Sequence, residues 1–242
     1  MSDLHPDFLA RIPSCAPRRH ATQDGPLWTF TPKSPPRGAI LFFYHRTALD
    51  AFTAHVIERL TGRGFAVAVP DLFHGMDPDL EPDEKKARLV DDRIIAGSAD
   101  AVGVLRSPDY GGDRSAPAAL GFCMGGRLAF LAAAGGTGVS RACCFYGGDL
   151  DRAWHGDLTP IERVSAGIPD IQLHRGVRDS HATEGQQHAA VRAIDAVAGN
   201  AEAVTYAGAR HAFANPFAFE RYHARATSQA WSSALRFLEE TP

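Results

Sequence analysis

The sequence predicts an α/β protein, a single domain whose mostly parallel, doubly wound sheet is flanked by helices. Three observations predict it. Continuous apolar runs at 39–44, 65–69 and 141–146 have the composition of strands covered on both faces. Helical patterns alternate with them over short connections, the order that produces right-handed crossovers between parallel strands. A glycine turn at 121–126 joins a short apolar run, 118–120, to a small-residue helical run, 127–134. At 242 residues and 45% hydrophobic content the chain can bury one full core.

Residues 1–26 are rich in proline and charge and lack periodicity, so they read as an N-terminal arm over a domain spanning 27–242. A short strand is expected at 27–31, then a turn containing Pro32, Pro35 and Pro36 before the first central strand at 39–44. Segment 51–63 sets Phe52, Val56, Ile57 and Leu60 at helical spacing and stops at Gly64. Strand 65–69 ends at Pro70 and Asp71, and 72–83 forms a loop long enough to wall a site. One charged helix is expected over 83–106, with Gly97 as its weak point and Leu89, Val90, Ile94, Ile95, Val102 and Leu105 inward. A turn at 110–117 leads to the strand, turn and helix around 121–126. Strand 141–146 closes at Gly147 and Gly148, and 149–167 is irregular. Then follow a strand at 171–177, a helix at 188–198, a last strand at 203–206, a loop at 208–215 and a helix at 227–239 burying Trp231, Leu235 and Leu238.

Charges of both signs are spread along the chain to a formal net charge of -3, which leaves no electrostatic footprint for nucleic acid or an anionic membrane surface. No apolar run approaches bilayer length, and the N-terminal Asp3, His5, Pro6 and Asp7 do not fit a signal peptide. The expected partner is a small molecule, with the protein a cytoplasmic monomer or homodimer. Cys15, Cys123, Cys143 and Cys144 show neither a disulfide framework nor paired metal-ligand spacing, which fits a reducing compartment. Cys143 and Cys144 read as small core residues of a buried strand.

The turn Gly121-Phe122-Cys123-Met124-Gly125-Gly126 has the G-x-S-x-G spacing of a nucleophile elbow, with Cys in place of Ser. A nucleophile on a strained turn where strand and helix nearly touch needs flanks without side chains, and Gly121 and Gly125 supply them. In open α/β sheets ligands bind beyond the carboxyl ends of the strands. Cys123, Asp179 and His211 each follow a predicted strand, so all three should emerge on one edge, in the order nucleophile, acid, histidine. Asp170, which precedes its strand, and Asp149, beyond Gly147 and Gly148, are poorer candidates for the acid. A thiol at a helix N-terminus beside an imidazole is favoured as thiolate. His211 would take and return the proton, and Asp179 would orient the ring. Oxyanion donors are expected from the backbone N–H of Met124 and from the loop carrying His45 and Arg46.

Gly-Phe-Cys-Met-Gly-Gly-Arg-Leu-Ala-Phe at 121–130, Val-Pro-Asp-Leu-Phe at 69–73, Asp179 three residues after a glycine, and Ala-Arg-His-Ala-Phe-Ala-Asn at 209–215 together resemble the dienelactone hydrolase (carboxymethylenebutenolidase-like) family. The resemblance runs from about residue 24 to the C-terminus. It implies an α/β-hydrolase fold, a triad of Cys123, Asp179 and His211, and action on lactones or activated esters without metal or cofactor. Two positions depart from the family pattern. His45 stands where those enzymes place a Glu against the resting thiol, and Asn215 where they place an Arg for the substrate carboxylate. A carboxylate-bearing dienelactone is therefore not the expected substrate, and His45 has two readings: a polar residue shaping the pocket mouth, or an imidazole that accepts the thiol proton and makes Cys123 more reactive at rest. Arg46 and Arg178 are candidates for a replacement charge. Phe73, Tyr146, Trp154 and Phe213, with His45, Arg46 and Asn215, are the candidate pocket lining.

The leading expectation is a cysteine-dependent hydrolase of lactones, activated esters or thioesters acting through an acyl-enzyme on Cys123. A thiolate is readily expelled from a tetrahedral intermediate, so enolate, phenolate or thiolate leaving groups suit it better than amines. The alternatives are acyl transfer to an alcohol or amine, a cyclisation or rearrangement in the same pocket, and a non-catalytic binding protein on the same scaffold. No resolving Cys is suitably spaced for a thiol sensor.

Overall fold

β1 (Cys15–Thr22) and β2 (Gly25–Pro32) form an antiparallel hairpin in the computed structural model, which describes residues 4–111 and 116–239. β2 also pairs antiparallel with β4 (Phe65–Pro70), and from there the sheet is parallel through β3 (Gly38–Phe43), β5 (Ala118–Phe122), β6 (Arg141–Phe145), β7 (Asp170–Gly176) and β8 (Ala201–Tyr206). The order across the sheet is β1-β2-β4-β3-β5-β6-β7-β8. β3, β5 and β6 are buried along their whole length, which is why their sequences, Arg141 at the start of β6 apart, carry no polar side chain at alternate positions.

The helices are α1 (Pro6–Leu9), α2 (Ala51–Thr61), α3 (Pro82–Lys86), α4 (Asp91–Leu105), α5 (Met124–Ala134), α6 (Glu184–Asp195) and α7 (Ala224–Glu239). Their starts follow from local chemistry: Asp50 Oδ1 accepts the N–H groups of Phe52 and Thr53 at 3.0 Å each to begin α2, and Thr183 and Gln186 form a capping box on α6. Trp231 of α7 lies 5.6 Å from the Phe122 ring and 5.7 Å from the Phe145 ring, anchoring the last helix under the strands that carry the glycine turn. No helix among the described residues is long and apolar enough to cross a membrane.

Two expectations are corrected. The segment expected as an arm over 1–26 instead supplies α1 and the edge strand β1, because the alternate residues of β1 need no burial: one face of an edge strand meets water, so its polar composition is no bar to pairing. The single helix expected over 83–106 is two helices, broken at 87–90 and not at Gly97. The break lets Asp91 start α4 fully buried, with its N–H donating to Trp154 O at 3.0 Å. Gly97 lies inside α4, and Asp24 packs where its side chain would be. Residues 1–3 of the expected arm, 112–115 of the expected turn and 240–242 lie outside the described residues.

Candidate active site

The turn between β5 and α5 is built by backbone packing. A side chain on Gly121 would place Cβ 1.9 Å from Gly125 O, and one on Gly125 would place it 1.9 Å from Phe43 O. With those two positions bare, Cys123 is held at φ 56° and ψ -118°, a conformation that costs a side-chain-bearing residue on the order of 1–3 kcal/mol. Its N–H donates to Phe145 O at 2.9 Å, which fixes the turn to the neighbouring strand. The sulfur therefore emerges beyond the carboxyl end of β5, at the start of a fully buried helix.

β7 and the loop after β8 bring the other two groups to the same edge. Gly176 allows the close approach, since a Cβ there would lie 2.4 Å from Ala209 O. His211 Nε2 is 3.0 Å from Cys123 Sγ, and His211 Nδ1 is 3.1 and 3.0 Å from the two oxygens of Asp179. Asp179 also accepts the N–H groups of His181 at 2.8 Å and Ala182 at 2.9 Å, so its carboxylate is oriented from both sides. Burial pushes the Cys123 thiol up, but the hydrogen bond and charge of His211, the Met124 N–H and the Lys86 ammonium outweigh it and hold the thiol below its ordinary value. Burial pushes His211 down, but its bonds to Asp179 and Cys123 raise it to about 9. Asp179 is likewise raised by burial, yet held below the usual carboxylate range by His211 and the two backbone donors. Both shifts run in the direction of a thiolate beside an imidazolium.

An open cleft of about 330 Å³ surrounds the sulfur, lined by His45, Arg46, Met124, Tyr146, His211 and Asn215 among the expected residues. The Tyr146 ring meets the His211 ring edge-on at 5.1 Å and backs it. The main-chain N–H groups of His45 and Arg46 donate to no acceptor among the described residues, leaving donors free beside the Met124 N–H. His45 makes no hydrogen bond to the thiol among the described residues. Its ring pairs with Asp50 at 3.0 Å and lies against Thr47 Oγ1, so the group bonded to the sulfur is His211. Arg46 is committed to Asp83 at 2.7 Å.

Four candidates for the lining are elsewhere. Phe213 is fully buried between Tyr146 and Tyr206, and Phe73 packs on Tyr44. Arg178 is exposed outside the cleft. Trp154 is buried under Arg127, whose guanidinium lies 3.8 Å from its ring centroid. Conversely, His181, Lys86 and Arg221 line the cleft without having been expected there. His181, whose ring is 4.8 Å from that of His211, had a signal in its spacing two residues past Asp179. Arg127 also had one: it is the lone charge in α5, and it is buried, bonding both Asp91 oxygens at 2.7 and 2.9 Å. Asp179, His181 and His211 offer ligand atoms within 4.8 Å of one another, but a cation there would have to displace Asp179 or Cys123 from His211, whose two nitrogens are both engaged. A separate cavity of about 110 Å³ between β2 and α4 contains none of the expected site residues.

The dienelactone hydrolase family matches residues 27–241. The chain belongs to that family. Dienelactone hydrolases are lactone and ester hydrolases of the α/β-hydrolase superfamily, and two curated members are similar here. Carboxymethylenebutenolidase 1 of Cupriavidus pinatubonensis is 30% identical over 150 residues, 56% of this chain and 58% of the relative. The carboxymethylenebutenolidase of Pseudomonas putida is 28% identical over 131 residues, 50% of this chain and 55% of the relative. The chain thus spans little more than half the length of these two relatives. In structure, the dienelactone hydrolase-like promiscuous phosphotriesterase P91 from metagenomic libraries superposes with a TM-score of 0.76 at 19% identity, covering 93% of this chain and 98% of that one. Apo esterase 2 of Thermogutta terrifontis gives 0.70 at 20% identity, covering 94% of each. These likenesses establish the fold of the family.

Proposed function

We propose that this dienelactone hydrolase-family protein is a cysteine-dependent hydrolase of lactones, activated esters or thioesters, with Cys123 as nucleophile, His211 as proton carrier and Asp179 as its orienting acid. The observation that carries the reading is the unbroken line of contacts from Asp179 through His211 to the sulfur. The thiolate attacks the acyl carbon, and the oxyanion is received by the Met124 N–H and a free N–H of the loop carrying His45 and Arg46. The bond to the leaving oxygen or sulfur breaks as the His211 imidazolium protonates it, leaving a thioester on Cys123 and a neutral imidazole. Water then gives a proton to His211 and its hydroxide attacks the thioester. The second tetrahedral intermediate expels the thiolate beside an imidazolium, which restores the resting pair and releases the acid.

The test is p-nitrophenyl acetate turnover with mass analysis of the trapped intermediate. Cys123→Ala is expected to lose turnover by about 10³-fold or more, by analogy with the loss of other covalent nucleophiles, with its far-ultraviolet circular dichroism intact. Turnover retained in that variant, or an acyl group found on another residue, would overturn the assignment.

A further inference from the structure

The sheet order sets β5 between β3 and β6, with β7 and β8 beyond, so the loops after β3 and after β8 reach the Cys123 cleft from opposite sides of the sulfur. His211 comes from the β8 side and is bonded to Cys123. From the β3 side comes His45, which lines the same cleft and has a carboxylate of its own. Its Nε2 lies 3.0 Å from Asp50 Oδ2, just as His211 Nδ1 lies 3.0 Å from Asp179 Oδ2. The cleft therefore has a second acid–histidine pair, which the sulfur does not use.

This pair is firmly built. Asp50 Oδ1 accepts the two N–H groups that begin α2, and its Oδ2 accepts the Thr47 hydroxyl at 2.9 Å. Burial pushes the carboxyl up, but His45, the Thr53 N–H and the Thr47 hydroxyl hold it below the usual carboxylate range. The His45 ring stands edge-on to Phe52 at 5.4 Å, and Phe52 in turn to Phe122, the residue before Cys123, at 5.1 Å. The loop beneath it is closed by the Ala48 N–H donating to His45 O at 3.0 Å and Thr53 Oγ1 donating to Ala48 O at 2.7 Å. With the Nε2 proton given to Asp50, Nδ1 is the acceptor of the ring. Thr47 Oγ1 lies 3.2 Å from Nδ1, but its single proton goes to Asp50 at the shorter distance. The side chain keeps 15% of its surface exposed, so Nδ1 offers the cleft a lone pair that no donor among the described residues takes.

We propose that His45 Nδ1 holds the water that hydrolyses the acyl-enzyme, and so selects water over an alcohol as acyl acceptor. The inference rests on the reading of Cys123 as the acylated nucleophile. A water has two O–H groups. One proton passes to His211 as the oxygen attacks the thioester carbon. The other O–H donates to His45 and stays on the carboxylic acid formed when the C–S bond breaks and its electron pair returns to sulfur. An alcohol has a single O–H, which His211 takes, and it turns an alkyl group toward His45, leaving Nδ1 unmatched.

The test is the partition of the acetyl-enzyme, with p-nitrophenyl acetate turned over in water–methanol mixtures and the initial rates of acetic acid and methyl acetate formation measured above the uncatalysed background. Their ratio is set after Cys123 is acylated, so neither slower acylation nor a smaller folded fraction enters it, and a loop merely loosened slows both reactions alike. His45→Phe, which keeps a ring on Phe52 but no acceptor, is expected to lower the acid-to-ester ratio about fivefold, the worth of one neutral hydrogen bond in the transition state. His45→Gln, whose amide donates to Asp50 and accepts from water, should keep the larger part of it. If His45→Phe does not fold, His45→Leu gives the same reading. A ratio unchanged in the apolar variant overturns the inference while the acyl-enzyme stands. Absence of an acetyl group on Cys123 in trapped wild-type protein overturns the reaction and the inference together.

Discussion

In the proposed reaction Cys123 would be activated by two separate devices, a backbone that holds it in a glycine-like conformation and a ring hydrogen-bonded to its sulfur. The first exposes the sulfur, and the second, with the Met124 N–H, keeps the thiol below its ordinary value. The other three cysteines lack both. Burial pushes Cys15 up to about 11 and raises Cys143 and Cys144 further. Iodoacetamide near pH 7.5 should therefore alkylate Cys123 first, with peptide mapping finding the other three unmodified while the protein stays folded. His211→Ala should move the pH profile of that alkylation upward toward an ordinary thiol, and an unmoved profile would show that the imidazole does not set it. His45→Gln should leave it nearly unchanged, since His45 is spent on Asp50 and not on the sulfur. Cys123, Asp179 and His211 were legible because each directly follows a strand, a local signal. His181, Lys86 and Arg221 were not, because their positions depend on how loops fold back over the strand ends, which no periodicity encodes.

At the scale of elements, α5 is the piece on which the site depends, buried on every side and tied to its surroundings by one ion pair. Arg127 bonds Asp91, donates to Asp149 O at 3.1 Å and to Arg152 O at 2.6 Å, and stacks on Trp154, so it binds α4 and the 149–154 loop to the helix that begins at Cys123. Removing one partner of such a pair strands a buried charge. Arg127→Met is expected to cost about 3–5 kcal/mol in urea denaturation, and adding Asp91→Leu should recover a large part of it. Gly125→Ala should be as damaging, on the order of 3 kcal/mol or more, because the clash is with the Phe43 carbonyl and not with a side chain that can turn away. The glycines of this element were readable from their spacing alone. The break before α4 was not: the apolar pattern runs on through 87–90, and the partner that Asp91 meets at the start of α4 is Arg127, 36 positions away in sequence.

For the molecule as a whole, titration sets the acid limit. His174, buried on β7, donates from Nε2 to Gln172 Oε1 and accepts at Nδ1 from the Tyr206 hydroxyl, both at 2.8 Å, the pattern of a neutral ring, and burial lowers it to about 3. The unfolded chain takes up that proton at the ordinary value of 6.5, so stability falls as pH drops from 6.5 toward 3. The depressed carboxylates of Asp50, Asp149 and Asp179 add to the loss as pH falls through their folded values. Urea midpoints should decline steadily below pH 6.5, and His174→Gln should flatten that decline; an equal slope in the variant would remove His174 as a cause. The parallel core of the sheet was legible from its uninterrupted apolar runs, whereas β1 was not, since an edge strand with one wet face has the composition of a loop. That strand ends the sheet in a particular way. Its free edge carries Pro17, which has no N–H to offer, followed by the charged Arg18 and Arg19. Such an edge is a poor template for another strand, which disfavours edge-to-edge pairing between copies of this chain on the β1 side.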